Sequence, residues 1–356
     1  MKKVLITLDT PTGRGGLESA VARISKMMMK HNNFIVEIFM FYESREENYN
    51  WLSEINYTIS QSSFRNHKIR RCHHAWKLAK KIRQFKPDIV VTLSTVPCFI
   101  SRLAIRFARV NTPLLSWIHL PPRPRYRPQY LMHADGHLAI SNEIKQQLID
   151  LGANPASVSV VFNPVTPQSV FVERPVATTN FLYIGRINFE LQKRIKDLLT
   201  ACSLLQGNWR LDVIGEGDDR SQCESYAQSL GINNHIHWHG WQESPWEYVE
   251  SHINVASCLV LSSDYEGFPL VLLEALSRGI FCIASDCVSG PGEIINNGVN
   301  GFLYPPRETK ALAEKMQLII DGRALPSHAD IKNSVSQFYN ENFISSFNAE
   351  LLKWIK

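Results

Sequence analysis

Short, uninterrupted apolar runs recur along this chain, each set between a turn signal and a helical pattern. Ile89–Leu93 follows Pro87-Asp88, Cys258–Leu261 leads into a loop at Ser262–Pro269, and Phe281–Ala284 ends in a loop through Gly290 and Gly292. A strand that is apolar on both faces must be covered on both faces. Strands of that kind alternating with helices predict a parallel sheet in an α/β protein.

The alternation occurs twice. The first series predicts strands at Val4–Leu8, Phe34–Phe41, Ile89–Leu93, Leu114–Ile118, His137–Ile140 and Val158–Phe162. Helical patterns lie over Leu17–Lys30, over residues 66–86 and from Ser141. In the second of these helices Ile69, Cys72, Trp76, Ala79, Ile82 and Phe85 recur every three or four residues and predict the apolar face. A Pro/Arg-rich stretch, Pro121–Pro128, interrupts regular structure. Asn163 to Asn180, with Pro164, Pro167 and Pro175, reads as a linker. The second series predicts strands at Phe181–Ile184, Arg210–Ile214, Ile236–Trp238, Cys258–Leu261 and Phe281–Ala284, with helices near Arg194–Leu205 and Leu270–Arg278. A last helix, Glu341–Lys356, carries Phe343, Phe347, Leu351 and Trp354 on one face.

A chain of 356 residues is too long for one core, since cores stop growing near about 250–300 residues. Two Rossmann-like domains, 1–165 and 166–340, are therefore expected to face a cleft, with 341–356 as a helix crossing back to the first. Ligands in open α/β sheets bind at the carboxyl ends of the strands, so the chemistry should lie in the loops there. The hydrophobic share of 44% and charged share of 20% exclude a disordered, collagenous or coiled-coil chain.

The formal charge of +5 conceals an asymmetry. Residues 1–165 hold 23 Lys+Arg and 11 Asp+Glu, a net of +12; residues 166–356 hold the other 15 and 22, a net of −7. The two halves should meet different partners. The apolar run Val4–Leu8 is too short for a signal-peptide core, and no stretch approaches the ~20 apolar residues of a membrane span. The seven cysteines form no Cys-x-x-Cys pair, which fits free thiols in a reducing cytosol.

Three stretches point to chemistry. Thr12-Gly13-Arg14-Gly15-Gly16-Leu17-Glu18 joins the first strand to the first helix, where glycines admit a ligand and helix N–H groups suit an anion. Glu18 stands where a dinucleotide fingerprint needs Gly, and a Walker A lysine is absent. Arg186 and Lys193 follow the first strand of the second half and could converge on a diphosphate. The segment Ser263–Ala275 contains Glu266, a Gly267-Phe268-Pro269 turn and Glu274 on an otherwise apolar helix. A carboxylate there is costly without a partner, and it could accept bonds from a ribose diol.

Taken in order, Gly185-Arg186 with Lys193, Gly215-Glu216-Gly217, Glu266-x7-Glu274 with Gly267-Phe268-Pro269, and Asn297-Gly298-x-Asn300-Gly301-Phe302-Leu303 resemble the retaining GT-B glycosyltransferases of family 4. The resemblance covers both halves. Closer still, Gly15-Gly16-x-Glu18, Gln192-Lys193-Arg194, Gly240-Trp241-Gln242 with Pro245-Trp246, and Ser285-Asp286-Cys287-x-Ser289-Gly290-Pro291 are similar to the members of that family that galactosylate the bacterial lipopolysaccharide core.

The resemblance implies an enzyme that moves galactose from UDP-galactose to a glucose of that core, with retention and no metal. Arg186 and Lys193 would neutralise the departing diphosphate. Glu266 and His119 would contact the transferred sugar, and Glu274 the ribose. Gly15, Gly16, Gly185, Gly215, Trp241, Gly267, Phe268, Pro269 and Leu270 would complete the donor side, Pro269 without an N–H to offer. Many family members have Gly after the lysine, whereas Arg194 stands here. Attack would come from the front face with the leaving phosphate as base, and no second carboxylate nucleophile marks the first half. A related transferase using UDP-glucose or another acceptor, and a non-catalytic sugar-nucleotide or glycan-binding module, are the alternatives.

The basic half fits a protein peripheral to the cytoplasmic face of the inner membrane. Lys77, Lys80 and Lys81 with Trp76 could hold an anionic leaflet, and Arg14, Arg123, Arg125 and Arg127 could meet acceptor phosphates. Residues 65–86 could also suggest nucleic acid, but Trp76 and Phe85 fall on the expected apolar face, so core or membrane is the better reading. His235, His237 and His239 alternate along a strand as zinc ligands could, yet no carboxylate or Cys is spaced to help.

Overall fold

The computed structural model of the protein describes residues 1–11, 16–31, 34–42 and 49–355. The chain divides into two compact units, Met1–Pro164 with Glu341–Lys356, and Val165–Asn340.

The first unit runs β1 (Lys3–Asp9), α1 (Gly16–His31), β2 (Ile35–Phe41), β3 (Asn56–Ser60), α2 (His67–Phe85), β4 (Ile89–Thr92), α3 (Thr95–Ala108), β5 (Leu114–Ile118), β6 (Gly136–Ala139), α4 (Asn142–Asp150) and β7 (Val158–Val160). Its sheet has the order β3-β2-β1-β4-β5-β6-β7, and every pair is parallel. β4 and β5 are buried at every position, because helices cover both faces. The strand order reverses between β1 and β4. There Thr7 Oγ1 and Ser101 Oγ bond at 2.9 Å, tying α3 to the middle of the sheet.

Two elements carry little periodic signal. β3 is an edge strand with Asn56 and Tyr57 exposed, so it lacks a buried face to read. α3 begins Thr95-Val96-Pro97, and the proline resembles a loop residue although the first turn of a helix tolerates it. In α2 the core face differs from the expected one. Ala75, Leu78, Ala79, Ile82 and Phe85 are buried, whereas Ile69 and Trp76 are about half exposed, at 50% and 49%. α2 ends at Lys86 in a left-handed conformation, with φ +53°.

The second unit runs β8 (Thr179–Ile184), α5 (Ile195–Cys202), β9 (Trp209–Ile214), α6 (Arg220–Ser229), β10 (Ile236–Gly240), α7 (Pro245–Tyr248), β11 (Cys258–Leu261), α8 (Leu270–Leu276), β12 (Phe281–Ser285), α9 (Pro291–Ile294), β13 (Gly301–Tyr304), α10 (Thr309–Ile320) and α11 (His328–Asn333). Its parallel sheet has the order β10-β9-β8-β11-β12-β13. Order reverses between β8 and β11. Asn180 and Ser257 lock the start of that pair, since Asn180 N–H donates to Ser257 Oγ at 3.0 Å and Ser257 N–H to Asn180 O at 2.8 Å.

The chain leaves and re-enters this unit at adjacent points: Val165 N–H donates to Phe338 O and Asn340 N–H to Val165 O. The final helix α12 (Asn340–Leu352) contributes Phe343, Phe347 and Leu351 to the core of the first unit, with Phe347 5.1 Å from Trp117 between ring centres. The helix ends at Leu352 rather than continuing to Lys356. Trp354 instead folds against Gly136, where a Cβ would stand 2.2 Å from the indole. Only glycine fits that position in β6.

Candidate active site

The chain reversal between β8 and β11 opens the second sheet at its carboxyl edge, the place where such sheets bind ligands. β8 ends in Gly185-Arg186. Gly215, just past β9, has φ +142°, and a Cβ there would lie 1.9 Å from Gly185 O. The two turns therefore touch backbone to backbone, which fixes the start of the site. Tyr183 Oη donates to Arg186 O at 2.7 Å, so the backbone of Arg186 is held while its side chain is exposed. Among the described residues that guanidinium has no side-chain partner.

Lys193 reaches the same edge from the loop before α5. Its Nζ lies 2.6 Å from Glu266 Oε1, and Ser263 Oγ donates to the same oxygen at 2.6 Å. Glu266 is only 6% exposed, so its charge depends on these two donors. The loops are laced elsewhere as well: Ser262 Oγ donates to Lys193 O at 2.8 Å and Asp264 N–H to Gln192 O at 2.8 Å. Arg194 takes no part in this cluster. Its guanidinium bonds both oxygens of Asp197, at 2.6 and 3.2 Å, and the pairing pins the first turn of α5. The cation that stands in place of glycine is thus already neutralised.

The turn after Glu266 is braced from behind. Glu266 N–H donates to Val288 O at 3.1 Å and Ser289 Oγ to Gly267 O at 2.7 Å. Gly290 has φ +93°, and a Cβ there would come within 2.7 Å of Pro269 Cδ. Phe268 turns its ring inward, 3% exposed and 5.3 Å from Phe338, so only its backbone can face a ligand. Leu270, also buried, opens α8, whose first intrahelical donor is Leu272 N–H to Pro269 O. The earlier amides of that turn have no acceptor within the helix.

Glu274 lies one turn further on and is half-buried. It has a protein partner, because Trp246 Nε1–H donates to Glu274 Oε2 at 2.8 Å. Trp246 is itself 7% exposed and lies under the Arg278 guanidinium, 4.7 Å from the ring centre. Arg278 Nε donates to Glu250 Oε1 at 2.7 Å. The sequence marks Trp246 only through the Pro245-Trp246 pair; its bond to Glu274, 28 residues away, comes from the fold. Trp241, beyond Gly240, is 47% exposed. The alternating histidines diverge: His235, just before β10, bonds Trp209 O, while His239 within it bonds Asp212 Oδ1 at 2.7 Å and Tyr248 Oη at 3.1 Å. Among the described residues no three His, Cys, Asp or Glu side chains gather as metal ligands.

In the first unit His119 follows β5. It is 8% exposed and packs 4.5 Å from the Trp117 ring. Burial pushes its pKa down to about 3, so the ring is neutral, and its Nε2 has no hydrogen-bond partner among the described residues. Gly16 opens α1; Arg14 and Gly15 lie outside the described residues.

The expected acceptor and membrane cations separate. Lys80 is exposed with its Nζ 3.6 Å from the Trp76 ring centre, and Lys77 donates to Gln61 O at 2.7 Å. Lys81 instead pairs with Glu37, both largely covered, so it offers no free charge. Arg123 pairs with Asp150, while Arg125 is exposed. The spacing of charges in a sequence does not reveal such partners, which come from other elements.

Residues 14–169 match the family described as Glycosyltransferase Family 4, and residues 171–337 match Glycosyl transferases group 1. The chain is 36% identical over 355 residues to the lipopolysaccharide 1,6-galactosyltransferase of Escherichia coli K12, covering 99% of both chains. It is 34% identical over 349 residues to the enzyme of that name from Salmonella typhimurium LT2, covering 97% of both. Among solved structures, the apo form of the lipopolysaccharide outer core galactosyltransferase WaaB aligns with a TM-score of 0.91 at 33% identity, covering 99% of both chains. Anabaena HepE in complex with UDP shares the fold at 17% identity, with a TM-score of 0.80 over 99% of this chain and all of that one. Two parallel-sheet Rossmann-like units and full-length similarity of this kind lead to one assignment: the chain belongs to glycosyltransferase family 4 and is a glycosyltransferase of GT-B fold.

Proposed function

We propose that this protein transfers galactose from UDP-galactose to a glucose of the lipopolysaccharide core, forming an α-1,6 linkage with retention. The observation that carries the reading is the Lys193–Glu266–Ser263 cluster beside the exposed Arg186, at the carboxyl edge of β8 and β11, in a chain 36% identical to a 1,6-galactosyltransferase.

In this reading Arg186 and Lys193 bind the diphosphate and stabilise the charge that builds on it as the bond from the sugar anomeric carbon to the β-phosphate oxygen breaks. The acceptor hydroxyl forms the new bond from the same face and passes its proton to the leaving phosphate oxygen. Glu266 takes a hydroxyl of the galactose, and the backbone of Gly267 and Phe268 follows the sugar and phosphate. Glu274, oriented by Trp246, accepts the ribose hydroxyls. His119, neutral at physiological pH, contributes a hydrogen bond to the donor sugar without a charge change. Gly15 and Gly16 admit the phosphate and the acceptor. No step calls for a metal ion.

Among the described residues no helix is long and apolar enough to cross a membrane. We infer a peripheral attachment to the cytoplasmic face of the inner membrane through the exposed Trp76 and Lys80 and the half-buried Lys77 of α2. Removing the charges of Lys77 and Lys80 should lower binding to phosphatidylglycerol vesicles in low salt; unchanged binding would contradict the attachment.

The transfer reading is tested by screening UDP-sugars with a truncated lipopolysaccharide core acceptor. UDP-galactose should support turnover with EDTA present. Turnover with UDP-glucose alone would overturn the donor assignment.

A further inference from the structure

Arg71 and Arg127 are 56 positions apart, yet the fold brings them to one tyrosine. The Arg71 guanidinium lies 5.7 Å from the ring centres of both Tyr126 and Tyr130, and the Arg127 guanidinium 5.7 Å from Tyr126. Arg71 Nη1 also donates to Tyr130 Oη at 3.3 Å. Tyr130 is fixed by stacking on Phe99, 4.7 Å between centres. The loop is fixed by Thr95 Oγ1, which donates to Tyr126 O at 2.8 Å across the start of α3.

The electrostatics of this cluster are unbalanced. Neither guanidinium meets a carboxylate among the described residues, although nearby Arg102 and Arg123 are paired with Asp135 and Asp150. Hydrogen bonding to the two arginines pulls the Tyr126 phenol below its usual pKa, a sign of concentrated positive potential. Two like charges held at one phenol repel each other, and a dianion placed there would relieve that repulsion while taking up fork-like guanidinium bonds. The location suits a substrate. β4 leads into α3, and β5 into His119 and the Tyr126 loop, so the cluster lies at the carboxyl edge of the first sheet.

We propose that Arg71 and Arg127, positioned by Tyr126 and Tyr130, form a subsite for a phosphate group carried by the glycan acceptor. This rests on the reading of the protein as a glycan-core transferase and adds to it the chemistry of the acceptor: a phosphorylated oligosaccharide in preference to a neutral one. A glycan phosphate fits better than a lipid headgroup. The cluster stands on the loop that follows His119, at the carboxyl edge of the first sheet where a substrate binds, whereas the exposed Trp76–Lys80 pair that suits a bilayer lies further along α2.

The test compares a truncated core oligosaccharide with its enzymatically dephosphorylated form. Binding to the full-length protein is followed by calorimetry and transfer by UDP release. Wild type should bind the phosphorylated form about tenfold or more tightly, as two charge-assisted bonds would give. Arg71→Gln/Arg127→Gln should erase that preference while UDP affinity stays at the wild-type value. Equal binding of both forms by wild type, or a preference that survives in the double variant, would overturn the subsite. Phosphatidylglycerol vesicle binding that falls in the double variant while the glycan preference persists would assign the arginines to lipid and also overturn it. Absence of transfer from UDP-galactose to either form would count against the transferase reading alone, because the calorimetric preference is measured without turnover.

Discussion

Lys193 and Glu266 are 73 residues apart in sequence and 2.6 Å apart in space, at the reversal of strand order in the second sheet. Before any donor arrives, the lysine is held by a buried carboxylate that Ser263 also supports. A diphosphate would therefore meet a preorganised cation, with no cost for ordering a flexible side chain at the moment of reaction. Lys193→Gln, which keeps a donor for Glu266, should lower kcat by about 10²–10³-fold and weaken UDP binding far less. Steady-state kinetics with parallel UDP titration separates the two effects. Unchanged turnover would remove Lys193 from the phosphate site.

Trp246 makes a second prediction. Trp246→Phe keeps a ring beneath Arg278 while removing the N–H that reaches Glu274, along with part of the indole's volume. A hydrogen bond to a charged group contributes about 1.5–3 kcal/mol, so UDP affinity should fall roughly tenfold or more. Affinity for 2′-deoxy-UDP should change much less, since in the proposed reading Glu274 accepts the ribose diol. Equal losses for both nucleotides would mean that the tryptophan acts through packing alone.

Gly215→Ala tests the backbone contact that starts the site. The left-handed dihedral alone costs a non-glycine residue about 1–3 kcal/mol, and the 1.9 Å approach to Gly185 O adds a collision. Thermal unfolding should show a lower Tm, accompanied by weaker donor binding. A variant with wild-type Tm and kinetics would contradict the close approach.

How much of this was legible follows from what sequence patterns encode. Runs such as Ile89–Leu93 and Cys258–Leu261 announce doubly covered strands, and Gly185, Gly215 and Glu266 mark loops that the structure places at the carboxyl edge of the second sheet. Partners do not show. The basic stretch of α2 suggests a uniform charged face, but Lys81 is neutralised by Glu37 and Arg71 is drawn to Tyr126 and Tyr130. Arg194 adds a cation beside Lys193 in the sequence, and only the fold shows Asp197 pairing with it. Trp76 and Phe85 look equivalent in the helical repeat. The buried face of α2 runs through Ala75, Leu78, Ala79 and Ile82, however, which leaves Trp76 turned outward and Phe85 buried.

Acid should destabilise the first unit through three buried histidines. Burial holds His119 at about 3 and His74 and His137 at about 4, the last two bonded to Ser60 and Ser116 at 2.7 Å. Unfolded, each would titrate near about 6.5. Between those values the unfolded chain binds more protons, so stability is fully present above about 6.5 and is lost as pH falls toward 4. The slope reaches about 1.4 kcal/mol per pH unit for each histidine. Urea unfolding at pH 7, 6 and 5 should show the decline, and His137→Gln should make it shallower. A pH-independent midpoint over this range would contradict the neutral buried state.

The central claim is retaining transfer of galactose to a lipopolysaccharide core. It is tested most directly by the anomeric configuration of the product made from UDP-α-galactose and a truncated core acceptor, read from the one-bond carbon–proton coupling of the new linkage by NMR. The account predicts a single α-galactosyl residue on the 6-hydroxyl of a core glucose. A β-linked product, or no galactose on the acceptor while UDP-galactose is bound, would contradict it.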